Sequence, residues 1–195
     1  MLNPPDNEPA QNYRLRSTFE FCWPTRSVKV PDGANWLHEV KYDGYRVRLE
    51  RDGNRVRLLS RNGYDWTGRY PWIIEAALKN RQKQFVIDGE AVVLGVHGVA
   101  DFNALHSRKH DAEVQLYAFD MLAGDGDDMR GLPLTMCKTN LARLLARRPD
   151  GIFIAPFEQA RSGRTCIAPP VAWALKGWCQ STVIGPTRAA GPSTG

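Results

Sequence analysis

The stretch His38-Glu39-Val40-Lys41-Tyr42-Asp43-Gly44-Tyr45-Arg46 decides how this chain of 195 residues is read. An alternating run, W-L-H-E-V-K, leads into it, and Y-R-V-R-L-E-R leads out, so the whole reads as strand, turn, strand. Asp43-Gly44 supplies the turn and lets the main chain come close to a ligand. Lys41 stands two residues before the Asp-Gly pair, and Arg46 two residues beyond the glycine. A lysine amine has a free pKa of about 10.4 and attacks phosphorus only when desolvated or set beside other cations. The arginine adds a planar fork for phosphate or ribose oxygens. The plain alternative is a hairpin with a surface lysine and arginine, because Asp-Gly turns often join strands.

Working outward, Val47 and Leu49 alternate with Arg46, Arg48 and Glu50, which sends one face to a core and leaves the other charged. Asp52-Gly53-Asn54 turns this strand into R-V-R-L-L-S, and Arg61-Asn62-Gly63 is a further turn. Trp72 to Leu78 predicts a helix. Phe85-Val86-Ile87 predicts a short buried strand, which Asp88-Gly89 turns into A-V-V-L-G-V. A strand follows from Val114 to Phe119, ending at Asp120, then an exposed loop from Ala123 to Asp128. Leu134 to Arg148 predicts a helix with Leu141, Leu144 and Leu145 on one face and basic residues on the other, and Ile152 to Ala155 a last strand. Antiparallel strands with a few helices indicate an α+β fold.

The chain is long enough for one sizeable core. Its net charge of +5 suits a polyanionic partner. Cys22, Cys137, Cys166 and Cys179 are scattered, without metal-ligand or paired spacing, and read as free thiols in a reducing compartment. No apolar run approaches the roughly 20 residues of a membrane span. The start, MLNPPDNEPAQN, lacks the basic and apolar stretches of a signal peptide, so the expected location is the cytoplasm. Residues 1–20 read as a loose leader, 21–159 as the domain, and 160–195 as an irregular tail without helical or strand period.

Four further motifs fall at the ends of predicted strands. These are Ser60-Arg61-Asn62-Gly63, Ile87-Asp88-Gly89-Glu90, Tyr117-Ala118-Phe119-Asp120, and Glu39, on the same strand face as Lys41. The D-G-E would set a carboxylate at a tight turn, and Tyr117 to Asp120 would present an aromatic ring beside an acid. Each has an ordinary reading as turn, solvated hairpin or core.

In this order and spacing, K-Y-D-G-Y-R, S-R-N-G, D-G-E and Y-A-F-D resemble the adenylation domain of ATP-dependent DNA ligases, most of all the bacterial enzymes of double-strand-break repair. The resemblance covers about residues 20–159. It implies a nucleotidyltransferase domain, ATP-grasp-like, of antiparallel sheets with flanking helices around a nucleotide cleft. It implies that Lys41 takes AMP from ATP as a phosphoramidate, on the way to sealing nicks in double-stranded DNA. Glu39 would accept a hydrogen bond from the adenine amino group, and Phe119 would stack on the base. Arg46 and Arg61 would hold ribose and phosphates, and Glu90 would bind the ribose or help hold Mg²⁺. Leu132-Pro133-Leu134 and the helix carrying Lys138 and Arg143 also look like the family's run after that strand. Phosphoryl transfer is mostly positioning and charge neutralisation, which suits these parts. No membrane is implied, nor any oligomer. Two other readings share the K-x-D-G core or its remains: an RNA ligase or GTP-using capping enzyme, and a non-catalytic remnant that binds nucleotide or nucleic acid weakly.

The family's next motifs, E-G-x-V-x-K and W-x-K-x-K, are missing, and the OB-fold that follows them in ligases is expected to be absent. The lysines in those motifs neutralise the α-phosphate, and a single such contact is worth ~10²–10³ in rate. The amino acids suggest a cause. If the reading frame was lost after Gln159, each original codon is the third base of one present codon plus two bases of the next. Trp173-Ala174 then forces glycine and Trp178-Cys179 forces valine. Within codon freedom, Trp173 to Ser181 can read G-L-E-G-L-V-S-K, and Ser181 to Gly195 can read H-R-D-R-P-Y-Q-G-G-R-S-K-H-W. That is the missing strand followed by the lead-in to the last motif, so residues 160–195 are expected to be an out-of-frame tail on a truncated, impaired domain. Sequencing the gene is the test: a one-base change near codon 159 should open both motifs, and failure to open them overturns the idea.

Overall fold

The structure is a computed structural model and describes residues 19–21, 36–147, 150–159 and 178–182. The expectations for residues 1–18, 160–177 and 183–195, and for Cys22 and Cys166, lie outside the described residues. A six-stranded sheet forms the body. Its strands β2 (Tyr45–Asp52), β3 (Arg55–Ser60), β4 (Gln84–Val92), β5 (Gln115–Gly124) and β6 (Asp127–Asp128) run in the order β3-β2-β4-β5-β6, and β7 (Ile152–Ile154) pairs with β5 in parallel. A three-stranded sheet places β1 (Trp36–Val40) between β8 (Phe157–Gln159) and β9 (Trp178–Thr182), both antiparallel to it. With α1 (Pro71–Lys79), α2 (Phe102–Ser107) and α3 (Leu134–Leu144), this is the α+β fold expected.

The β2–β3 hairpin follows its sequence pattern. Val47, Leu49, Val56 and Leu58 face one core, and Gly53 takes the positive φ of 62° that the turn requires. Arg51 falls on that apolar side and is buried. It is accommodated because its guanidinium donates to Ala77 O, Asn80 O and Gln82 O, the carbonyls at the C-terminal end of α1. Pro71 opens α1, where its fixed φ suits a first turn, and Ile73, Ala76 and Ala77 are buried beneath it. Asp101 caps α2, accepting from Ala104 N at 2.9 Å.

Several expectations need correction. Asp88-Gly89 is not a turn: β4 runs unbroken through the D-G-E. Gly89 sits beside a bulge against β5, and a methyl there would lie 2.7 Å from Tyr117 O and Leu116 Cδ1. The glycine therefore serves strand-to-strand approach. β5 does not end at Asp120 but continues to Gly124. Asp125 and Gly126, both at positive φ, then turn the chain into β6, so Ala123 to Asp128 is a hairpin rather than a loop. Lys138 is not on a basic outer face of α3. It is buried, in register with Leu134, Cys137, Leu141 and Leu144. Phe19 falls in the stretch expected to be loose, yet packs with Val86, Leu122 and Ala123. Part of the tail read as lacking strand character, Trp178–Thr182, is β9, held to β1 by a five-residue register.

Gly44 is required for a similar reason. Its φ is not positive, so the K-Y-D-G turn does not need a left-handed residue there. Instead a methyl would overlap Ala91 O and lie 2.7 Å from Val92 Cγ1 on β4. Gly44→Ala should destabilise the fold by ~1–3 kcal/mol, the usual penalty of overpacking. Gly68→Ala, with nothing within 4 Å of its methyl, should leave stability unchanged. Denaturant melts of the two variants check this, and equal midpoints would show that the loop at Gly44 relaxes freely.

Candidate active site

The face of the six-stranded sheet opposite the main core carries the candidate residues. Arg46 on β2 stands directly across from Glu90 on β4, and Glu90 across from Tyr117 on β5. Arg46 clamps the buried Asp88 carboxylate with two parallel bonds, Nε to Oδ1 at 3.1 Å and Nη2 to Oδ2 at 2.6 Å. Its guanidinium also lies 5.3 Å from the Phe119 ring centroid and 5.2 Å from that of Phe21. The arginine expected to hold ribose and phosphates is thus held in place by Asp88 and two aromatic rings. Arg48 and Arg57 converge in the same way on the buried Glu50, at 2.8 and 2.5 Å.

Arg61 lies in the turn after β3. Its side chain is exposed, and its backbone N–H donates to Arg46 O at 3.1 Å, which brings the S-R-N-G motif beside the K-x-D-G-x-R strand. Lys41 is exposed on the loop that Gly44 seats against β4. In the same loop, the Tyr42 ring packs on Tyr117 with centroids 4.3 Å apart. Glu39 is buried at the end of β1. Its Oε1 forms an ion pair with Lys138 Nζ. The structure therefore gathers Lys41, Arg46, Arg61, Glu90 and Phe119 around one end of the sheet, with Glu39 joined to Phe119 through Lys138.

Electrostatics divide the carboxylates. Burial pushes Glu90 up to about 7, against the opposing charges of Lys41 and Arg46. Burial pushes Asp120 up to about 6, opposed by Lys138. Asp88 is raised by burial and drawn back by its bonds to Arg46. Among the described residues, no three His, Cys, Asp or Glu side chains converge into a metal cage. The role expected of Glu90 would need no such cage, because Mg²⁺ is usually held by one or two carboxylates together with substrate phosphates.

Sequence reasoning missed two members of the site. Asp88 was read only as part of a turn, although its spacing from Glu90 puts both on one strand face. Lys138 was taken as one of the helix's basic outer residues, although it falls at the apolar spacing of α3. Among the described residues, no helix is long and apolar enough to cross a membrane.

Comparison with known proteins gives the same reading. Residues 24–164 match the model of the ATP dependent DNA ligase domain. The chain is 42% identical over 98 residues to the multifunctional non-homologous end joining protein LigD of Mycobacterium bovis, which covers 50% of this chain and 13% of that protein. It is 36% identical over 126 residues to the LigD of Pseudomonas aeruginosa, covering 63% of this chain and 15% of that one. Its fold superposes on a mycobacterial DNA ligase D complexed with ATP and MES, with a TM-score of 0.68 and 27% identity over 82% of this chain and 52% of that one. The chain thus spans only a small part of the curated relatives it matches. The RNA-ligase and capping-enzyme readings are not favoured.

Glu90 makes a testable electrostatic prediction. Raised from 4.5 to about 7, it keeps its proton in the folded chain through a window in which the unfolded chain has released it. Its ionisation therefore withdraws stability as pH rises through that window. Glu90→Gln should melt above the wild type at pH 8, with the gap closing as pH falls towards 4.5. Thermal melts across this range are the check. A gap that does not vary with pH would mean that Glu90 acts through packing alone.

Proposed function

The chain belongs to the ATP-dependent DNA ligase domain family, and from that premise we propose that it transfers AMP from ATP to Lys41, the opening step in sealing nicks in double-stranded DNA. The observation that supports this most is the seating of the Lys41 loop on β4, where the lysine's charge acts on Glu90 and Arg46 stands across the same strands.

Lys41 Nζ, having shed its proton, attacks the α-phosphorus. A nitrogen–phosphorus bond forms, the bond from the α-phosphorus to the bridging oxygen breaks, and pyrophosphate leaves with that electron pair. Arg46, aimed by Asp88, and Arg61 beside it face the ribose and phosphates. The ring of Phe119 offers the adenine a stacking surface. Glu39, held by Lys138, fits the base at its other edge, because a carboxylate accepts and the exocyclic amino group donates. Mg²⁺, when bound with the triphosphate, supplies charge neutralisation, and Glu90 is the carboxylate placed to share it.

The tail modifies this reading. On the proposal that residues 160–195 are out of frame, the chain lacks the lysines that stabilise the α-phosphate, so transfer by it is slow. The test uses ATP labelled on the α-phosphate, with the chain as it stands and with its frame restored after codon 159. We expect weak label on the first and strong label on the second, removed in both by Lys41→Arg, since arginine stays protonated and cannot attack. Absence of label from the restored protein, or label that survives Lys41→Arg, overturns the assignment. Equal, robust labelling of the present chain overturns the account of the tail.

A further inference from the structure

Lys138 has no part in the transfer just described, yet it is the buried cation on which the base end of the site converges. It is 3% exposed, and its environment comes from three different elements. Its ammonium forms an ion pair with Glu39 Oε1 of β1, donates to the backbone carbonyl of Phe119 on β5, and lies 5.2 Å from the ring centroid of Phe157 on β8. Nothing in α3 itself uses this charge, and an ammonium is withdrawn from water only when charge or hydrogen bonds compensate it. The compensation here is shared between the two groups assigned to the base: the carboxylate for its amino group, and the main chain of the ring on which it stacks.

We propose that Lys138 is the positioning residue that sets base selectivity in the nucleotide pocket, by holding the Glu39 carboxylate in register with the Phe119 ring. This rests on the assignment of Glu39 and Phe119 to adenine made above. An ionised carboxylate is an acceptor only, so it favours a purine bearing an exocyclic amine at position 6 and gains nothing from one without it. A carboxylate that has lost the ion pair holding it is free to leave the amine's edge, and the discrimination goes with it. Asp120 also lies close enough to feel the charges of both Glu39 and Lys138. Lys138 also ties β1 to β5 across the two sheets, fixing the separation between the carboxylate and the stacking ring.

The experiment measures equilibrium binding of two ligands to the full chain: ATP, and the same triphosphate carrying unsubstituted purine, which lacks the amine. Their ratio cancels any loss common to both, which a merely structural role would produce. The wild type should prefer ATP. Lys138→Met should lower that preference by about tenfold, as expected for a charge-assisted contact, and Lys138→Arg should retain it. Lys138→Gln keeps a donor without the charge, so it is the second variant should Met not fold, and it should lose the preference in the same way. Wild-type preference that persists in Met or Gln overturns the role of Lys138 while leaving the proposed function standing. A wild type that binds neither ligand overturns the proposed function, and this inference with it.

Discussion

Two close approaches of main chain, at Gly44 and Gly89, determine where the chemistry of the candidate site lies. Gly89 lets β4 press onto β5 at the level of Tyr117 and Ala118, and Gly44 lets the loop after β1 press onto β4 at Ala91 and Val92. Because both contacts fall on β4, the loop, β4 and β5 form three successive layers of chain. Lys41 is carried on the outer layer, Glu90 on the middle one and Phe119 on the inner one. A side chain at either glycine would separate those layers, and electrostatic influence between Lys41 and Glu90 weakens with separation. Packing density in the strands is in this way the origin of proximity in the site.

On that scaffold, charge is arranged by burial. The sheet face that a sequence pattern assigns to solvent is largely covered: Arg46 and Arg48 have Phe21 over their guanidinium groups, Phe19 fills the far end, and Glu50 and Asp88 are buried beneath arginines. Removing one partner from a buried pair such as Arg46–Asp88 leaves an uncompensated charge, at a typical cost of about 3–5 kcal/mol. Such pairs hold donors at fixed angles before a ligand arrives. Glu90 differs, since it stands across from Arg46 without sharing in that clamp, and burial holds its proton to about pH 7. A carboxyl in this condition responds to any cation brought beside it.

How much of this was legible depended on the range of the interaction concerned. The β2–β3 hairpin was legible because its alternation and its Asp52-Gly53 turn are local and agree. The same dipeptide at Asp88-Gly89 was misread, because its meaning lies in what stands opposite: open space beside Gly53, and the main chain of Tyr117 and Ala118 beside Gly89. The candidate residues came from ordered motifs, and the fold brings Arg46, Glu90 and Phe119 onto one face as strand alternation implies. Glu39 and Lys138 show the limit. Helical spacing places Lys138 among Leu134, Leu141 and Leu144, yet nothing near it in sequence names Glu39 as its partner, because β1 and α3 meet only through the tertiary fold.

On the frame-shift proposal, β9 would be a strand that is kept while the side chains of a site are lost. It lies within Trp173 to Ser181 and one residue beyond, the segment that the frame-shift proposal converts into E-G-x-V-x-K. Its pairing with β1 is a main-chain ladder, and main-chain donors and acceptors are the same whichever codons are read, proline excepted. No proline occurs between Trp178 and Thr182. Loss of frame therefore need not leave the edge of β1 unpaired. What it removes is specified only by side chains: an acid for the metal and ammonium groups for the α-phosphate. Those groups act on charge that develops in the transition state and add little to folding. On that proposal, a domain of this kind retains its architecture while the stabilisation of the reacting phosphate is lost.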